Sequence, residues 1–263
     1  MNAREKYRLI TRHDFDGLVS AILLKELGMI GEIEFVHPKD MQDGKIAVTA
    51  RDITTNLPYA EGVHLAFDHH LSEAHRLEPG KNFILDPGAP SASQVVFEHF
   101  GGAGDFPGYT AEMMTAVNKA DSGQFNREEI LHPRGWNLLN FILDPRTGLG
   151  RFRNFAKSGE AMALALTNHC RNHPIEWVMK LLDITERSNR YFVLEEAFRN
   201  QIRKCAALRG NILVVDLQEE ELIMAGNRFI PYTLFPEANI SIHVMWGKDR
   251  QNTVFAVGKS IFN

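Results

Sequence analysis

"YRLITRHDFDGLVSAILLKELG" (Tyr7–Gly28) is the stretch whose reading decides the fold. Tyr7–Thr11 reads as a short apolar strand. Leu18, Ala21, Ile22, Lys25 and Leu27 then recur near helical spacing, and Gly28 stops the run. A strand that turns straight into a helix is half of a βαβ unit. The chain repeats the pattern downstream. Glu32–Val36, Lys45–Ala50 and His64–Asp68 read as buried strands, and Ser91–Phe100 as a helix opened by capping serines. Strands alternating with helices predict an α/β fold, a mostly parallel sheet with flanking helices.

Beyond residue 110 the texture becomes helical. Ala111–Ala120, Gly135–Leu143 and Glu160–Cys170 are amphipathic, and a long pattern runs from about Ile175 to Leu208. From Asn211 the chain reads as strands again: "NILVVDL", "ISIHVMW" and "TVFAVGK", with Gly247–Asn252 as a hairpin loop between the last two. The expected organisation is a catalytic domain over 1–190, a connector helix over 191–208, and a smaller, partial α/β domain over 209–263.

Composition narrows the function classes. A chain of 263 residues with 44% hydrophobic and 24% charged residues is globular rather than disordered. A net charge of -4 argues against a protein that coats duplex DNA. Two cysteines, Cys170 and Cys205, make neither a disulfide framework nor a four-sulfur zinc site. No apolar run approaches the ~20 residues of a membrane span. The N-terminal MNAREKYRLI lacks a signal-peptide pattern. A cytoplasmic location is expected.

Three carboxylate or histidine clusters sit at predicted strand ends, where ligands bind in parallel α/β sheets. In Arg12–Gly17, "RHDFDG", Asp14 and Asp16 would repel one another without a cation to share. The alternative is that one of them caps the following helix. In "VTARDIT", Asp52 follows the predicted Lys45–Ala50 strand, and a plain turn residue is the alternative. In "LAFDHHL", Asp68, His69 and His70 close another strand. Adjacent histidines diverge, so one can ligate a metal while the other faces a substrate.

In this order, "DFDG", a strand-end Asp and "DHH" resemble the DHH phosphoesterase superfamily, and Asp121 in "NKADSGQF" (Asn118–Phe125) supplies that family's fourth motif. The family includes pyrophosphatases, single-strand exonucleases, oligoribonuclease/pAp phosphatases, cyclic-dinucleotide phosphodiesterases and exopolyphosphatases. The likeness is good over about residues 7–125 and looser in the helical middle. The last 55 residues resemble the start of the family's smaller substrate-binding (DHHA1-like) domain. The resemblance implies that Asp14 and Asp52 bind one metal. It implies that Asp16, Asp52, His69 and Asp121 bind the other, with Asp52 bridging. His70 would contact the scissile phosphate, and Asp68 would support a histidine. This donor set suits two Mn²⁺ ions, with Mg²⁺ or Co²⁺ as alternatives.

Two departures stand out. Many relatives carry a His four residues before the first motif Asp, where this chain has Ile10. The first metal then lacks its usual imidazole. The sequence also reaches Asn263 with no glycine-rich GGGH-type loop. Further substrate-contact candidates are Arg12, His13, Ser91, Ser93, Lys259 and Ser260, with helix capping as the other reading of the two serines. Arg146, Arg151, Arg153 and Lys157 form a basic run, read as a solvated face or a phosphate contact. Phe229, Tyr232, Phe235 and Trp246 lean towards a base pocket.

The expected function is a Mn²⁺-dependent phosphohydrolase acting on phosphodiester or phosphomonoester bonds of a small nucleotide or short single-stranded oligonucleotide. The alternatives are an exopolyphosphatase taking polyphosphate and a catalytically weak nucleotide-binding protein. No duplex or membrane partner is expected, and a homodimer is compatible with the sequence.

Overall fold

Strand β1 (Tyr7–Arg12) feeds directly into helix α1 (Phe15–Glu26). This computed structural model describes residues 6–262 apart from Pro79 and Arg153. The first sheet continues through β2 (Ile30–Val36), α2 (Pro38–Gln42), β3 (Asp52–Thr55), β4 (Leu65–Asp68), α3 (Leu71–Arg76), β5 (Phe83–Leu85) and α4 (Ala92–His99). Its strands are all parallel, in the order β2-β1-β3-β4-β5. The chain steps to one side of β1 for β2 and to the other for β3. Strand order therefore reverses between β1 and β3, and the crevice at their carboxyl ends is where such a sheet receives ligands.

Helix α1 shows why this element is central. Leu18, Val19, Ala21, Ile22, Leu23 and Leu24 are all fully buried, so it is apolar nearly all round rather than on one stripe. It packs between the sheet and its neighbours, with Ser20 Oγ 3.1 Å from Ser93 Oγ of α4. Gly17 permits the sharp strand-to-helix turn. A Cβ there would lie 2.0 Å from the Arg12 carbonyl oxygen, so no other residue fits without moving the backbone.

The helical middle comprises α5 (Thr110–Asp121), α6 (Arg127–Leu131), α7 (Gly135–Leu143), α8 (Gly159–Asn172), α9 (Ile175–Val178) and α10 (Leu182–Cys205). The span expected as a connector, 191–208, is α10 through Cys205 and strand thereafter. The second sheet has the order β6-β7-β8-β9, from β6 (Ala206–Arg209), β7 (Ile212–Asp216), β8 (Ile240–Trp246) and β9 (Thr253–Lys259), with α11 (Ile230–Leu234) between β7 and β8. Only β7 and β8 pair in parallel. The hairpin loop expected at Gly247–Asn252 joins β8 to β9. One continuous core holds Leu9 and Leu23 beside the first sheet and Leu213, Val215 and Phe229 beside the second. Among the described residues, no helix is long and apolar enough to cross a membrane.

One expected strand is misplaced. Lys45–Ala50 is not a strand; the third strand is Asp52–Thr55, and its first residue pairs with Arg8 at the start of β1. Asp52 thus begins a strand instead of ending one. The three-residue β5 was not anticipated, being too short to show a period.

Candidate active site

The carboxyl end of β1 delivers the first two carboxylates in different ways. Asp14 is the N-cap of α1, accepting from the Gly17 amide at 2.9 Å. The capping alternative therefore holds for Asp14. Asp16, in the first turn of the helix, reaches the N-terminus of α4. Its Oδ2 accepts from the Ala92 amide at 2.9 Å and its Oδ1 from the Ser93 amide at 2.8 Å, and Ser93 Oγ donates to it as well. These bonds fix one carboxylate face and leave the other towards the crevice.

His69 and His70 follow β4. His69 Nδ1 lies 3.1 Å from the Ala89 carbonyl, which sets Nδ1 as the protonated nitrogen. His69 Nε2 is buried, 2.9 Å from Asp121 Oδ2, and makes no well-formed hydrogen bond. His70 stands half-exposed with its ring 4.6 Å from that of His69, and its Nδ1 donates to the fully buried Asp68 at 2.8 Å. That bond leaves His70 Nε2 as the nitrogen available to a substrate. Asp121 closes the set from the last turn of α5. Single ligand atoms of Asp16, His69 and Asp121 all lie within 4.8 Å of one another.

Electrostatics mark this cluster. Burial, then the nearby Asp121 and Asp14, push the Asp16 carboxyl up to about 7. Burial opposes a charged His69, but the Asp121 carboxylate outweighs it and lifts the imidazole to about 9. Burial likewise raises Asp14, against the pull of Arg12. Carboxylates crowded this closely need protons or a cation between them. An imidazole held by a carbonyl, with its second nitrogen turned to the Asp121 carboxylate beside Asp16, is a donor set that fits one hard or borderline divalent ion.

The other expected ligand is elsewhere. Asp52 lies about four strand residues, ~13 Å, from the carboxyl end of the sheet. Arg8 grips it with two bonds of 2.8 Å, and the Thr49 amide adds a third at 2.7 Å. In this structure Asp52 stands apart from the other expected ligands, and it pins the start of β3 to β1. Asn56 occupies the end of β3 instead, and its Nδ2 donates to both Asp14 oxygens, at 3.2 and 3.3 Å. Ile10 is fully buried in a cluster with Val36, Met41 and Leu57.

The substrate candidates divide similarly. Arg12 pairs with Asp14 at 3.0 Å on the crevice side. His13 leans edge-on against Phe35, with a buried Nε2 that has no hydrogen-bond partner. Ser91 and Ser93 are fully buried, and their hydroxyls are engaged within the fold. Ser91 caps α4 and donates to Asn118 at 2.7 Å, while Ser93 holds Asp16. Ser260 is buried as well, and its Oγ accepts from the Phe262 amide. Lys259 borders a cavity. Of the basic run, Arg151 is bound to the Ile223 and Met224 carbonyls and Lys157 to Asp183; Arg153 lies outside the described residues.

Three site residues escaped the sequence reading or were left open in it. Asp144 is buried and paired with Arg146 at 2.8 Å, and both line the small pocket that also holds Asp14, Asp16 and Asp121. Arg228 comes from the C-terminal part. Its Nε is buried without a partner, and burial followed by repulsion from Arg146 lowers the guanidinium to about 10. "DPR" at Asp144–Arg146 is a turn signal that could have flagged a fixed Asp–Arg pair; nothing local flags Arg228.

Two cavities flank this pocket. One, about 470 Å³, is lined by His13, Asp144, Pro145, Phe152, Phe155 and Arg187 among others. The second, about 380 Å³, lies against Pro145, Arg146, Arg228, Met224, His243 and Met245. Both walls are mainly apolar, and they share Pro145.

No family model matches the chain, and no curated protein matches it. Among solved structures, a pGpG-specific phosphodiesterase, PggH from Vibrio cholerae, matches with a TM-score of 0.86 and 53% identity, over 98% of this chain and 84% of that one. An uncharacterized protein from Helicobacter pylori G27 matches with a TM-score of 0.38 and 11% identity, over 91% of this chain and 83% of that one, too distant to carry an argument. At the identity and coverage shared with the first of these, the chain belongs to the family of that phosphodiesterase and is a hydrolytic enzyme.

Proposed function

We propose that the protein is a DHH-type phosphodiesterase that hydrolyses the internal phosphodiester of a short linear dinucleotide of the pGpG kind, with a divalent ion, Mn²⁺ first, held by Asp16, His69 and Asp121. The observation that supports the substrate class is the placing of two largely apolar cavities on either side of Asp144–Arg146, next to the carboxylates. A dinucleotide has two bases to bury and one bond between them. The relative's specificity for pGpG points the same way.

The roles follow from position. Arg12, Arg146 and Arg228 are fixed cations for phosphate oxygens, and Arg is suited to that by its fork of donors. His70, held by Asp68, presents Nε2 to the scissile phosphate. Asp68 raises the His70 pKa through its hydrogen bond, which favours the protonated, donating form. Bound at the three ligands, the ion supplies Lewis acidity and cancels the carboxylate charge. In the net reaction a water oxygen bonds to phosphorus, the bond from phosphorus to the leaving sugar oxygen breaks, and that oxygen takes a proton.

An exopolyphosphatase finds less support. A polyphosphate chain leaves Phe152, Phe155, Met224 and Met245 with nothing to bury. Turnover with Mn²⁺ on pGpG, pApA, pGpGpG, a cyclic dinucleotide, pAp, pyrophosphate and polyphosphate tests the reading. The highest kcat/KM is expected on the linear dinucleotides. Preference for polyphosphate or pyrophosphate would overturn it.

A further inference from the structure

We infer that this centre holds one divalent ion per chain, and that the neutral Asn56 closes the place of a second. The inference rests on the reading that Asp16, His69 and Asp121 hold an ion. Two ions in one hydrolytic centre stand ~3.5–4 Å apart. Two dications so close repel four times as strongly as two single charges, and an anionic oxygen must lie between them. The residue that the family resemblance implies for that bridge, Asp52, is tied to Arg8 at the other end of the sheet.

What stands at the carboxyl end of β3 is Asn56. It is buried at 2% exposure and sits in the left-handed region at φ 56°, which Asn tolerates better than most residues. Its amide nitrogen faces Asp14, because two carboxylate oxygens accept and only a donor satisfies them. Asp14 Oδ1 also takes the Gly17 amide and Oδ2 the Arg12 guanidinium. The Asp14 lone pairs are thus committed. Asn56 Oδ1 is buried and unpartnered, but one uncharged oxygen is a poor cage for a dication. Ile10, fully buried and apolar, adds no ligand. Two guanidiniums, Arg12 on Asp14 and Arg146 on Asp144, lie where further positive charge is needed to meet a phosphate.

The test is a count. Chelator-stripped full-length protein is titrated with Mn²⁺, bound metal is measured by mass spectrometry, and the electron paramagnetic resonance spectrum is recorded. One ion per chain with an uncoupled six-line spectrum is expected. Two ions with a coupled spectrum would overturn the inference and leave the proposed metal centre standing. No ion at all would overturn that centre as well. Asn56→Asp supplies the missing charge, and its stoichiometry should rise to two; a folded Asn56→Asp that stays at one would remove Asn56 from the explanation. The wild-type count needs no variant, so the inference stays testable if Asn56→Asp does not fold.

Discussion

Strand β1 carries an arginine–aspartate pair at each end, and the two pairs do opposite work. At its start, Arg8 holds Asp52 through both carboxylate oxygens and also reaches Glu34 at 2.8 Å. Arg8, Asp52 and Glu34 are all partnered there by side chains of neighbouring strands. At its end, Arg12 holds Asp14 through one nitrogen, and around them sit an orphaned Asn56 oxygen, an unpartnered His13 nitrogen and a His69–Asp121 contact that makes no well-formed hydrogen bond. Residue type does not separate a structural ion pair from a working one. The difference is whether the surrounding polar atoms are satisfied, because an unsatisfied buried group is costly and a cluster of them beside a crevice marks a place for a ligand.

Breaking the carboxyl end should have the largest effect. Asp16→Asn and Asp121→Asn are each expected to remove the bound ion and lower turnover on pGpG by on the order of 10³-fold or more, the scale for losing a group that acts in the reaction. Metal analysis beside kinetics checks this, and retained metal in both would contradict the ligand set. His70→Ala is expected to keep its metal and lose about 10²–10³ in kcat, the cost of one donor to developing phosphate charge. Equal metal loss in His69→Ala and His70→Ala would end that division of labour.

Arg228→Ala should act on binding. One charge-assisted bond to phosphate is worth about 1.5–3 kcal/mol, so KM should rise roughly tenfold or more while kcat changes less. An unchanged KM would place Arg228 outside the substrate path.

Breaking the other end should leave chemistry alone. Asp52→Ala strands Arg8 and is expected to cost about 1–3 kcal/mol of stability, a fall of roughly 2–4 °C in Tm per kcal/mol for a chain of this size. Metal content and kcat should match wild type, and a loss of bound metal would return Asp52 to the active site. The pH dependence has a defined sign. Burial raises the Asp52 carboxyl, but Arg8 and Thr49 outweigh it and hold it below the usual range. Its contribution is therefore present above pH ~4 and fades as pH falls through the folded pKa. The gap in stability between wild type and Asp52→Asn should narrow over that acid range.

The sequence by itself determined the α/β class, the β1–α1 turn, and the placement of Asp14, Asp16, His69 and Asp121 at element ends. Those readings rest on local signals: a strand followed at once by a helix, capping residues at helix starts, and adjacent residues that must diverge. Tertiary structure alone decided the third strand. "KIAVTARDITTN" (Lys45–Asn56) offers two short segments that each fit a buried strand, and only pairing with β1, Arg8 opposite Asp52, selects the second. That choice carries Asp52 to one end of the sheet and brings Asn56 to the other. It also took the folded chain to bring Asp144, Arg146 and Arg228 beside residues more than a hundred positions earlier, since charge complementarity across such distances leaves no period or spacing in the sequence to read.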